Sequence, residues 1–214
     1  MSKRNKRVIP GFGLSMGVTL TMLSIIVIIP LASLIVFTAN LSLGEIIDVI
    51  TKPRVLASFK VSFLTAFIAS AINAVMGVIL AWVLVRYDFP FKRVLDGMIE
   101  LPFALPTAVA GIALTSLTAD QGLIGGIFAK YGIKIAYTRI GITVALIFVG
   151  IPFVVRSVQP VLEKLDYSYE EAAGVLGASR FTIFRKIIFP EIKPAVLTGF
   201  GLAMGRCIGE YGSV

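Results

Sequence analysis

Arg206 and Glu210 stand four residues apart in the otherwise uncharged stretch 195–214. That spacing puts both side chains on one face of a helix, where they can pair. Ionisable groups inside a long apolar segment are rare and usually face a bundle interior or a water-filled path. Two readings follow. In one, Arg206 offers transient attraction to an anion on such a path while Glu210 keeps the site from holding it too tightly. In the other, the pair is structural and ties this segment to its neighbours. Other chemistry is scarce. The chain has no histidine, so it lacks the commonest general base and the commonest metal ligand. Cys207 is the single cysteine, which allows neither an intrachain disulfide nor a thiolate metal cluster. The chain therefore reads as having no catalytic residues, no metal site and no cofactor.

The elements that must hold these residues are apolar helices. Of the 214 residues, 57% are hydrophobic and 15% charged, with a mean hydropathy of +0.93. Soluble domains carry about 25% charged residues, so this composition excludes a soluble enzyme, a disordered tail and a free-standing nucleic-acid domain. The net charge of +8 is distributed between apolar blocks rather than along one face, unlike a polyanion-binding surface. A membrane-spanning helix needs roughly 20 apolar residues. Three stretches qualify outright, 8–44, 61–85 and 101–119; two more, 140–155 with Arg139 snorkelling at its outer end and 195–214, read as spans that need protein neighbours around them. The first follows Lys3, Arg4, Lys6 and Arg7 but is longer than a signal-peptide core, and it reads as a retained anchor. The last ends without a polar flank, so the natural protein is expected to continue past Val214.

Lysine and arginine number 13 in the N-terminus, 86–100 and 156–194 together, against 6 in 45–60 and 120–139. The positive-inside rule puts the richer group, and with it the N-terminus, in the cytoplasm. Trp82 and Tyr87 read as interface anchors near the cytosolic end of the second span. Pro102 reads as a first-turn proline of the third span. Pro106, followed by Thr107, lies far enough in to free the carbonyl of Pro102 and loosen the helix. Such breaks in transporters often line the substrate path. Pro30 and Pro152 read as packing features.

The charged segment 156–194 between the last two spans carries a helix pair. Ser168-Tyr169-Glu170-Glu171 has the form of a capping box, with a helix expected through Leu176 and ended by Gly177 in the left-handed region. Ser179 can cap a second helix, 180–189, that Pro190 is expected to stop; Pro194 suits the first turn of the next span. The pair either lies on the lipid surface as an amphipathic element or protrudes as a docking element for a cytosolic protein. Glu171-Ala172-Ala173, three residues, Gly177, nine residues, Ile187, one residue, Phe189-Pro190 resembles the EAA-x3-G-x9-I-x-L-P signature of ABC importer permeases. Phe189 replaces the usual leucine. The runs 101–111 (LPFALPTAVAG) and 151–156 (IPFVVR), with Gln159-Pro160 and 209–212 (GEYG), are similar to the sulfate/thiosulfate branch, and most of all to its T-type subunits.

The resemblance implies an all-α polytopic membrane protein with the type I ABC importer permease fold. It implies a single transmembrane domain over 1–214, one crossing short of a complete member, with 156–194 as its cytoplasmic coupling loop. Glu171, Ala172, Ala173, Gly177, Ile187 and Pro190 would contact the ATPase. The translocation path is sought at Pro106, Thr107, Arg206 and Glu210. The implied partners are a W-type permease subunit, a pair of cytosolic ATP-binding subunits, a periplasmic sulfate- or thiosulfate-binding protein and the bilayer of a bacterial inner membrane, with no nucleic acid. Two rivals stand beside this reading. A molybdate importer would share the architecture, because molybdate and sulfate are both tetrahedral dianions. An ion-coupled secondary transporter would need several intramembrane carboxylates or histidines, and this chain offers Glu210 alone.

Overall fold

The computed structural model describes residues 11–210, so Lys3, Arg4, Lys6 and Arg7 and the stretch 211–214 lie outside the described residues. All regular structure within them is helical: α1 Phe12–Ala39, α2 Leu43–Ile50, α3 Pro53–Arg86, α4 Lys92–Ala104, α5 Thr107–Thr118, α6 Gly125–Ala129, α7 Arg139–Lys164, α8 Tyr167–Val175 and α9 Arg180–Ile208. The chain divides into two compact units, 1–57 and 58–214.

In the first unit, α1 is apolar on every side and buries none of its residues. The hydroxyls of Ser33 and Thr38 donate to the carbonyls of Pro30 and Leu34, which satisfies them inside the helix as hydrocarbon demands. Helix α2 starts on a capping box in which Ser42 and Glu45 exchange backbone and side-chain hydrogen bonds.

In the second unit, α7 is the central element. Val154, Val155, Val158 and Leu162 of α7 are fully buried against Ala81 and Leu84 of α3, Ile99 of α4, and Ile188, Ile192 and Ala203 of α9. Lipid tails are as apolar as these side chains, so close packing rather than water exclusion holds the bundle, and small residues allow it. A Cβ at Gly77 would lie 2.6 Å from Val154 Cγ1, and one at Gly199 would lie 2.8 Å from Val154 Cα. Two glycines thus let α3 and α9 close on one residue of α7.

The contacts fix the direction of each helix. Arg86, the last residue of α3, donates to the carbonyl of Leu165 just past the end of α7, so α3 and α7 terminate on the same side. The Cys207 thiol near the end of α9 donates to Leu146 O near the start of α7, so α9 runs antiparallel to α7. The connection 87–138 must therefore cross back. It does so through α4 and α5, which meet at a bend of 117°.

That bend corrects the expectation of one span over 101–119. Leu105 is extended (φ −90°, ψ 136°), as the residue before a proline tends to be, and Pro106 becomes the N-cap of α5. The helix is broken at Pro106, not loosened, and Pro102 lies inside α4 rather than in a first turn. Pro190 differs in the opposite sense. The sequence suggests a stop there, yet α9 is continuous from Arg180 to Ile208. A π-helical turn, Phe184–Ile188, precedes the proline, and the Phe189 amide bonds the Phe184 carbonyl. Widening that turn relieves the clash that a proline makes with the carbonyl four residues back. The same device, Ser24–Ile28, precedes Pro30 in α1. Pro194, expected in a first turn, also lies inside this helix.

Candidate functional site

At the end where α3 and α7 terminate, the chain turns through α8 and into α9. Asp166 caps α8, its carboxylate accepting from the Ser168 amide at 2.9 Å; this bond holds the carboxyl below the usual carboxylate range. The expected capping box on Ser168 does not form; the cap lies two residues earlier, and Glu171 falls in the second turn. The displacement has a physical reason. With Tyr167 as the first helical residue, Tyr167 and Glu170 share a face and both reach Arg86.

The far end of α8 is a Schellman turn. Ala178 N donates to Ala173 O at 3.0 Å and Gly177 N to Gly174 O at 2.9 Å, with Gly177 at φ 81°. Ala173 and the glycine four residues on are therefore the two fixed points of the turn, which accounts for that spacing in the motif. Ser179 then caps α9 by accepting from Thr182 N at 3.3 Å, as expected. Of the sequence-derived positions, Glu171, Ala172, Gly177 and Pro190 are exposed, while Ala173 and Ile187 are partly covered. Val175 and Leu176 at the tip are 88% and 87% exposed.

Two arginines absent from that set organise this end of the bundle. Arg86 pairs with Glu170 at 2.6 Å, stands 4.3 Å from the Tyr167 ring centre, and donates to Leu165 O at 3.2 Å. Arg156 of α7 pairs with Asp96 at 2.9 Å and Glu100 at 2.7 Å on α4, and also donates to Gln159 at 2.7 Å. A guanidinium suits both places because its planar fork can serve several acceptors at once. The Asp96–Glu100 spacing, one helical turn, was the available signal for the second cluster; nothing local marks the partner of Arg86.

The residues at which the sequence sought a translocation path lie at the ends of two helices that both pack on α7. Pro106 and Thr107 open α5, and Arg206 and Glu210 form an ion pair at the end of α9, with the Glu210 side chain buried and that of Arg206 one-third exposed. A cavity of about 530 Å³ lies between α5 and the start of α7. Its hydroxyls at Ser116, Thr118 and Thr138 donate to the carbonyls of Ile112, Leu114 and Ile135. Those three protons are spent on backbone carbonyls, while Thr115 and Tyr137 also bring hydroxyls to the lining.

Residues 73–214 match the family described as binding-protein-dependent transport system inner membrane component. The chain is 48% identical over 210 residues to the sulfate transport system permease protein CysT of Salmonella typhimurium, covering 98% of this chain and 76% of that protein. It is 49% identical to the CysT of Escherichia coli K12 over the same shares of both chains. It is 46% identical to the CysT of Synechocystis over 92% of this chain and 69% of that one. With the multi-pass helical bundle and the exposed EAA turn already in place, the chain belongs to the binding-protein-dependent inner membrane permease family.

Proposed function

We propose that this chain is a membrane-spanning permease subunit of an ATP-driven sulfate/thiosulfate importer, working in the bacterial inner membrane with its N-terminus in the cytoplasm. The relatives that carry the sulfate permease name support the substrate. The observation that carries the mechanism is the α8–α9 tip, where Val175 and Leu176 stand almost wholly exposed beyond the bundle. Apolar residues presented on a rigid turn suit burial in a partner's groove, and a cytosolic ATPase can bias the permease only through contacts that differ between its states. Glu171, Ala172, Ala173, Gly177, Ile187 and Pro190 form or flank this coupling element within 156–194. The subunit itself hydrolyses nothing; ATP is consumed by a pair of cytosolic subunits. A W-type permease completes the path, a periplasmic binding protein delivers the anion, and 1–214 acts as one transmembrane domain.

Along the anion path we place Pro106, Thr107, Arg206 and Glu210. The break at Pro106 leaves the first amides of α5 without helical partners, and such half-helix ends carry partial positive charge. The partly exposed Arg206 adds a full charge that Glu210 tempers.

The test is labelled-sulfate uptake in cells lacking their own importer. The subunit is expressed with its second permease, ATPase and binding protein, and thiosulfate and molybdate serve as competitors. Uptake blocked by thiosulfate but not molybdate is expected, as is its loss in Gly177→Asp and Glu171→Lys together with loss of the ATPase from the purified complex. Uptake of molybdate alone would discard the substrate. Uptake that persists in both variants and follows a proton gradient would discard the ATP-driven mechanism.

A further inference from the structure

We propose that Arg86 is a positioning residue that latches the coupling helix α8 to the end of span α3; this rests on the coupling reading above. One guanidinium engages three successive parts of the α7–α8 corner: the Leu165 carbonyl that follows α7, the ring of Tyr167 at the first position of α8, and the Glu170 carboxylate beside Glu171. The tie is reciprocal, because the Tyr167 hydroxyl donates at 3.3 Å to the Arg86 carbonyl, one of those left open at the end of a helix.

The rest of α8 is poorly anchored. None of its residues is buried, and a cavity of about 330 Å³, lined by Trp82, Tyr87, Arg180 and Ile183 as well as the latch residues, separates it from the ends of α3 and α9. Chain connectivity links α8 to α7 and α9 but not to α3. Arg86 is thus the direct route by which a displacement of α8 driven by the ATPase reaches α3, beside the indirect one through α9, whose Phe184 ring stands 5.2 Å from that of Trp82. The pair is nearly dry, with side-chain exposures of 6% for Arg86 and 16% for Glu170. Removing either partner leaves an uncompensated charge in a low-dielectric corner, so the contact yields less readily than a surface ion pair.

The latch predicts a loss of coupling rather than of assembly. In proteoliposomes of the complete complex, Arg86→Gln and Glu170→Gln are expected to keep the ATPase bound and hydrolysing, while sulfate transported per ATP falls about fivefold or more. Arg86→Lys, which keeps the charge but not the fork, is expected to restore only part of the ratio. If Arg86→Gln does not assemble, Glu170→Gln decides alone. An unchanged ratio, or hydrolysis and transport falling in equal proportion, would overturn the latch. Failure of the coupling reading shows differently: Gly177→Asp would then retain the ATPase and the uptake.

Discussion

Gly199→Ala tests the packing account of the bundle most directly. A Cβ on Gly199 would stand 2.8 Å from Val154 Cα, 3.2 Å from Ser157 Cβ and 3.3 Å from Phe153 O. The nearest atom is backbone in the middle of α7, so no side-chain rotation relieves the contact and the two helices must separate. Overpacking of this kind costs about 1–3 kcal/mol. Alanine returns up to about 1 kcal/mol through its better helix propensity. Gly201→Ala on the same helix supplies the control, because nothing lies within 4 Å of the added carbon and the propensity gain remains. The propensity gain is common to both variants, so they should differ by the overpacking cost alone, about 1–3 kcal/mol. At roughly 2–4 °C per kcal/mol for a chain of this size, the apparent unfolding midpoints of the purified subunit in detergent should separate by roughly 2–12 °C. Gly199→Ala should lie at or below the parent and Gly201→Ala at or above it. A Gly199→Ala midpoint equal to or above that of Gly201→Ala would refute close contact between α7 and α9 at Val154.

Three further outcomes follow from single residues. Gly177→Ala meets no atoms but must hold φ 81°, so it should destabilise the α8 turn by about 1–2 kcal/mol, read as faster proteolysis there; Gly177→Asn should lose less. Asp166 has a carboxyl held below its ordinary value of 3.8 by the Ser168 amide, so its cap is present above that value and lost as pH falls through the lower folded value. Protection of the α8 turn from an acid protease should fall in that window, and Asp166→Asn should abolish the step. Asn73 of α3 is fully buried against Gly150 of α7, with neither carboxamide atom hydrogen-bonded. Asn73→Val removes both groups without lengthening the side chain and should hold or raise the unfolding midpoint; a drop of several degrees would mean that a buried water satisfies the carboxamide.

What could be read in the residues was what depends on near neighbours. The lengths of the apolar runs give the long helices, Ser179 caps α9, and Gly177 closes α8, because each of these signals acts within a turn or two. The prolines show the limit. Pro106 breaks a helix and Pro190 does not, yet each directly follows an apolar residue. The difference lies in Phe184–Ile188, which widen into a π turn ahead of Pro190 while Ile188 stays buried against the core. Arg86 and Arg156 were visible as basic residues at span ends, which set the orientation of the chain. Their partners are distant in sequence, and only the parallel ends of α3 and α7 and the return of α4 along α7 bring them together. Even the cap of α8 was settled this way, since Asp166 and Ser168 are both competent and contact with Arg86 favours the earlier start.

The continuity of α9 changes how its two ends relate. Had Pro190 ended a helix, the Ser179 end would be a separate piece joined by a hinge to the segment that carries Arg206 and Glu210. Instead one helix of 29 residues, about 43 Å at 1.5 Å per residue, runs from the turn that follows the exposed tip to the ion pair at the opposite end of the bundle. Its middle is fixed against α7, where Gly199 meets Val154 and where Ile188, Ile192 and Ala203 are buried. A rod held at its centre transmits tilt to both ends in opposite senses, whereas a hinged pair would absorb it near Pro190. The π turn is thus more than a repair of proline strain: it preserves the mechanical connection between the exposed tip and the ion pair at the other end of the helix.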